Sequence, residues 1–201
     1  MKPFHAVCVA LTTLALLPLC GCHVSSHKNG ENQNVDIGTP FGSMQVKTNK
    51  NVNDAGIGIT PYPGAVPAKD DGNNDAADIN MSFGSFHLGV RAASFQTSDP
   101  QDKVLGFYKQ DLARYGDVLE CAGSTPVGDP KRTSQGLTCV ENKDSYPRKV
   151  HIGSGLELRT GSPQHQHIVA IESKDGGTRI GLVALELPSH LNGGHERSDS
   201  E

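Results

Sequence analysis

Apolar and polar residues alternate over much of this chain, and a period of two is the mark of half-buried strands. Between residues 34 and 48, Val35, Ile37, Met44 and Val46 alternate with Asp36, Gln45 and Lys47 on either side of Thr39-Pro40-Phe41-Gly42. That pattern predicts two short strands joined by a turn. Ile79, Met81 and Phe83 alternate with Asp78, Asn80 and Ser82, and Phe86, Leu88, Val90 and Ala92 repeat the pattern against His87 and Arg91. A second hairpin around Gly84-Ser85 follows. Residues 118–121 and 137–140 read as a strand pair, and 149–152, 156–160, 164–173 and 179–187 as further strands. Asp175-Gly176-Gly177 is a hairpin turn between the last two.

One segment changes period. Val104, Leu105, Tyr108, Leu112 and Tyr115 fall at helical spacing, with Lys103, Gln110, Asp111 and Arg114 on the other side. Asp99 is placed as N-cap, Pro100 as the first helical residue and Gly116 just past the end. The expected fold class is therefore α+β, an antiparallel sheet with one helix packed on one face, preceded by a flexible tether. The opposite face, carrying His87, Arg91, Glu157 and Arg159, is expected to be wet or to meet a partner.

The N-terminus has a different grammar. Lys2 supplies positive charge, residues 6–19 form an apolar run of fourteen residues, and Leu19-Cys20-Gly21-Cys22 ends it. The run is shorter than the roughly 17–25 residues of a membrane-crossing helix, and Pro18 interrupts its end. It reads as a secretory signal. The four residues ending at Cys22 resemble the lipobox of bacterial lipoproteins: a leucine three positions before the cysteine and a small residue just before it. The resemblance implies cleavage before Cys22, acylation of that cysteine, and a lipid-anchored protein on the cell membrane or outer membrane, facing the periplasm or exterior. Two or more acyl chains give a stable anchor, at about 0.8 kcal/mol per buried methylene. Thr39-Pro40-Phe41-Gly42, Tyr62-Pro63-Gly64-Ala65 and the segment from Ser98 to Leu112 also resemble an uncharacterised family of bacterial exported proteins. These motifs are structural and imply no activity.

The expected organisation is a signal peptide at 1–21, a lipid anchor and polar tether at 22–34, one domain at 35–188 and a polar tail at 189–201. Cleavage leaves 180 residues with 17 Lys and Arg against 22 Asp and Glu. The balance is mildly acidic and lacks a basic run, so nucleic acid is not an expected partner. Discounting Cys8, Cys20 and Cys22 leaves Cys121 and Cys139. In an oxidising compartment such a pair invites a disulfide, with two buried thiols as the alternative.

Catalytic signatures are wanting. Gly153-Ser154-Gly155 is too short for a nucleophile elbow, and no phosphate-binding or dinucleotide loop occurs, so no cofactor is expected. The acidic loop at 69–75 does not have EF-hand spacing. His165 and His167, two apart on a strand, point to one face and could share a metal, with His151 as a third donor. The leading expectation is a non-catalytic, membrane-anchored envelope lipoprotein that binds a protein, glycan or lipid or plays a structural part. The alternative is a metal-binding protein or metal-dependent hydrolase built on those histidines.

Overall fold

The computed structural model describes residues 22–30, 32–49, 56–68, 76–139, 155–174 and 176–188. The signal segment expected at 1–21, the acidic loop expected at 69–75, the strand expected at 149–152 and the tail expected at 189–201 lie outside the described residues, as does His151.

Among the described residues eleven strands form one open, antiparallel sheet: β1 (His23–Asn29), β2 (Asn32–Thr39), β3 (Gly42–Asn49), β4 (Val66–Pro67), β5 (Ala76–Phe83), β6 (Phe86–Thr97), β7 (Leu119–Ala122), β8 (Thr125–Pro126), β9 (Leu156–Gly161), β10 (His165–Lys174) and β11 (Gly177–Glu186). Their order is β1-β2-β3-β5-β6-β11-β10-β9-β7-β8, and β4 pairs with the later part of β6. Among the described residues one α-helix, α1 (Gln101–Leu112), followed by a short turn of tighter helix, Ala113–Tyr115, packs chiefly on β9, β10 and β11. The helix-packed α+β domain expected from the pattern is thus corrected. The protein is mostly one large open sheet, and its short helix covers a minority of the strands.

The tether is corrected as well. Residues 23–29 are not a loose coil but the edge strand β1, paired along its length with β2 from His23↔Gly38 to Asn29↔Asn32. Val24 is the one apolar side chain in β1, so no hydrophobic period betrays it. Its pairing comes from the backbone donors and acceptors that β2 would otherwise leave open along the sheet edge.

The core lies where α1 meets the sheet. Val104, Tyr108 and Leu112 are fully buried against Phe95, Leu158, Val169, Ile171, Ile180 and Leu182. Tyr62, from the strap 56–65, closes the side of this core, its ring edge-on to Phe107 at 5.2 Å. Asp99 does not cap the helix. Pro100 occupies the N-cap position, and the Asp99 carboxylate instead accepts from the Tyr62 hydroxyl at 2.7 Å and pairs with Lys103 at 2.9 Å. Those two partners hold the Asp99 carboxyl below its ordinary pKa, Lys103 first and Tyr62 second.

The two faces of the sheet exchange roles along its width, and β6 shows where. In its later half the odd positions Ala93 and Phe95 enter the core beneath α1. In its earlier half the even positions Val90 and Ala92 join Ile168, Val183 and Leu185 on the opposite face. Beyond β6, the strands β5, β3, β2 and β1 continue that second arrangement. One cross-strand row on the face away from α1 is Leu185, Val90, Ile79, Val46 and Val35, and the next is Leu88, Met81, Met44, Ile37 and Val24. The period-two alternation of the sequence is the direct cause, because side chains two apart share a face.

The expected pairing of 118–121 with 137–140 is also different in the structure. β7 pairs with β9 and with β8, while Cys139 reaches it through a disulfide to Cys121. Leu119, Cys121 and Cys139 form a small buried cluster of their own.

Candidate functional surface

Two features of the sheet carry chemistry: a polar grid on the side of α1, and a buried ion pair on the other side. His87 and Arg91 belong to the first, Glu157 and Arg159 to the second. The expectation that all four share one exposed face is therefore corrected. Arg91 has the parity of Ala93 and Phe95 on β6, whereas Arg159 has the parity opposite to the core residue Leu158 on β9.

In the grid, the Arg91 guanidinium donates to Glu186 Oε1 at 3.2 Å and faces Asp78 at 3.9 Å. His87 Nε2 stands 3.5 Å from Glu186, and its Nδ1 is 2.9 Å from Ser82 Oγ. Asn80 donates to Asp78, and Gln45 donates to Asp36. One row runs across six strands in register, from Asp36 and Gln45 through Asn80 and Gly89 to Glu186 and His165. Gly89 is buried and its place beside Glu186 is tight, since a methyl there would lie 3.3 Å from the Glu186 side chain. The grid is thus a mixed-charge, hydrogen-bonded surface, and its solvent-accessible ion pairs add little stability.

Glu157 and Arg159 have side chains only 3% and 7% exposed. Arg159 Nε donates to Glu157 Oε2 at 2.9 Å, and a second guanidinium nitrogen reaches the same oxygen. Their cross-strand neighbours on β7 are Cys121 and Leu119, which is why two charged residues read as surface from the sequence are enclosed. Beside them a cleft of about 300 Å³ is lined by Ser94, Leu156, Glu157, Glu172 and Arg179.

Of the histidines singled out in the sequence, His165 is exposed and His167 is half-buried. His167 stacks on Tyr115 with ring centroids 3.9 Å apart and planes 14° from parallel. Burial, and then the Arg114 charge, hold its pKa below the ordinary value. Tyr115 in turn donates to the Gly58 carbonyl, which also accepts from Arg114. This stack joins the end of the helical segment to the strap. Sequence reasoning missed it because it needs the register of β10 against the helix. Among the described residues no three His, Cys, Asp or Glu side chains converge as a metal site.

Cys121 and Cys139 form a disulfide, with Cα atoms 5.6 Å apart. Cys22 is exposed and unpaired immediately before β1. Among the described residues no helix is long and apolar enough to cross a membrane.

The chain matches no family model, no curated protein and no solved structure.

Pro40 and Phe41 lie at the turn between β2 and β3, and Tyr62 to Ala65 form a turn closed by Ala65 N–H donating to the Tyr62 carbonyl at 3.0 Å. Both motifs singled out in the sequence are turns in the structure.

Proposed function

We propose that the protein is a membrane-anchored lipoprotein of the bacterial envelope, without catalytic activity, which presents its sheet to a protein, glycan or lipid partner. The observation that carries this reading is Cys22 itself: an exposed, unpaired cysteine directly before β1 that ends a lipobox-like stretch. The Cys121–Cys139 disulfide accords with an oxidising compartment. The polar grid around Arg91 and Glu186 offers a partner both signs of charge and several amide and hydroxyl groups.

Metabolic labelling with a radioactive fatty acid tests the anchor. The wild-type chain, expressed in a bacterium with lipoprotein processing, is expected to carry label in the membrane fraction, and the Cys22→Ser chain none. Equal labelling of both overturns the reading.

A further inference from the structure

We propose that the corner of the sheet beside Cys22 dips into the phospholipid bilayer, so that the protein is held by two phenylalanine-bearing hairpin tips as well as by its acyl chains. The inference rests on the anchor reading for its setting but on separate observations for its content.

The register brings three distant parts of the chain to one end of the sheet. β1 starts at His23 opposite Gly38, β2 turns into β3 at Pro40-Phe41, and Gly42 lies opposite Phe83, where β5 turns into β6. Cys22 and both hairpin tips are therefore neighbours along one edge. Phe41 is 83% exposed and Phe83 40% exposed, and Phe86 lies 6.5 Å from Phe83 between ring centroids. An exposed phenylalanine at a turn is costly in water and favourable at the boundary of headgroups and acyl chains.

Charge is missing from this corner to the depth that docking requires. Neither Asp, Glu, Lys nor Arg occurs in residues 22–27, 37–46 or 79–90. At about 3.4 Å per residue, the five steps from Phe41 to Val46 give roughly 17 Å of uncharged strand. An interfacial element buries its apolar face only about 5–10 Å. The first carboxylate at this end on the neighbouring strand, Glu186, lies beside Gly89, three residues in from Phe86, where Arg91 holds it. The apolar face then continues inward from the tips as Val24, Ile37, Met44, Met81 and Leu88.

The first turn is also built to leave water without opening its backbone. Pro40 has no N–H. The Phe41 and Gly42 amides both donate to Thr39 Oγ1, at 3.3 and 3.1 Å, and the Thr39 hydroxyl donates to the Gly42 carbonyl at 2.9 Å. Unsatisfied amides are what exclude irregular backbone from lipid, and this tip has none among those three residues.

The test uses the full chain, purified from membranes and reconstituted into vesicles of phosphatidylethanolamine and phosphatidylglycerol. Ser85→Cys places a polarity-sensitive maleimide dye at the second tip with every phenylalanine kept, and Lys28→Cys places it at the far end of β1. In vesicles, the dye at 85 is expected to shift to the blue, brighten several-fold and be quenched by nitroxide-bearing acyl chains, while the dye at 28 does neither. Adding Phe41→Ser and Phe83→Ser is expected to abolish the shift at 85. Water-like, unquenched emission at 85 in a chain that still floats with vesicles overturns the inference while leaving the anchor intact. A blue shift at 85 that grows with protein concentration in the absence of lipid assigns the corner to a second copy of the chain, and overturns it too. Dye uptake by the wild-type chain at Cys22 would instead refute acylation. In that case the Cys22→Ser chain on the same vesicles decides the inference alone: removal of Phe41 and Phe83 must weaken its binding at least about tenfold.

Discussion

Replacing Arg159 with methionine removes half of an ion pair whose two side chains are 7% and 3% exposed. At 2.9 Å and an effective dielectric of about 20, the two charges attract by about 6 kcal/mol, which offsets the cost of taking both out of water. With Arg159 gone, the Glu157 carboxylate stays enclosed beside Cys121 with its desolvation uncompensated. The expected loss is about 3–5 kcal/mol. For a chain of this size that lowers Tm by roughly 6–20 °C. The assay is urea unfolding of the oxidised chain followed by far-ultraviolet circular dichroism, with Arg159→Met, Glu157→Leu and the double variant compared in a cycle. The double variant should regain most of the loss, because two apolar side chains of similar volume leave no charge stranded. A loss below about 1 kcal/mol for Arg159→Met would refute the reasoning, since that is the behaviour of an exposed pair.

Three further outcomes are expected. Replacing Cys121 and Cys139 together by serine opens a loop between residues 18 apart and should cost about 3 kcal/mol in the same urea assay, with no loss on reduction of the variant. His167 has a folded-state pKa below its unfolded value of 6.5, so its unfolded form takes up protons first. The stability it contributes is present above pH 6.5 and falls as pH drops through the folded pKa; His167→Phe should flatten that part of the pH profile, and an unchanged slope would contradict the assignment. Gly161 has φ of 99° and a Cβ there would stand 2.2 Å from the His165 carbonyl oxygen, so Gly161→Ala should cost about 1–3 kcal/mol by denaturant unfolding, and a cost near zero would refute it.

The hairpins 34–48 and 78–92 could be read from the sequence because alternation and turn residues agree locally: Thr39-Pro40-Phe41-Gly42 and Gly84-Ser85 each sit between two alternating runs. β1 could not, since Ser25, Ser26 and His27 owe their strand conformation to β2 and not to their own side chains. Assigning faces failed for a related reason. Within β6 the apolar parity changes between Ala92 and Ala93, so His87 and Arg91 cannot be placed relative to Glu157 and Arg159 without the register of β6, β11, β10 and β9. The disulfide was legible by elimination of the other cysteines. The partners of Cys121 and Cys139 in the fold were not, because they depend on which strands flank β9.

The order of the strands also orders the opening of the molecule. β6, with Ala76 at the start of β5, is the last to share the core under α1, and the rest of β5 and then β3, β2 and β1 follow outward as one layer, each relying chiefly on its neighbour. Each strand removed exposes the next one's edge, so the resistance of backbone amides to exchange with solvent should decay stepwise from β6 to β1 and not collapse at once. A sheet so arranged behaves as a graded series: its outermost strand can be released and re-laid many times for every global unfolding, while the helix-covered strands keep the molecule folded throughout.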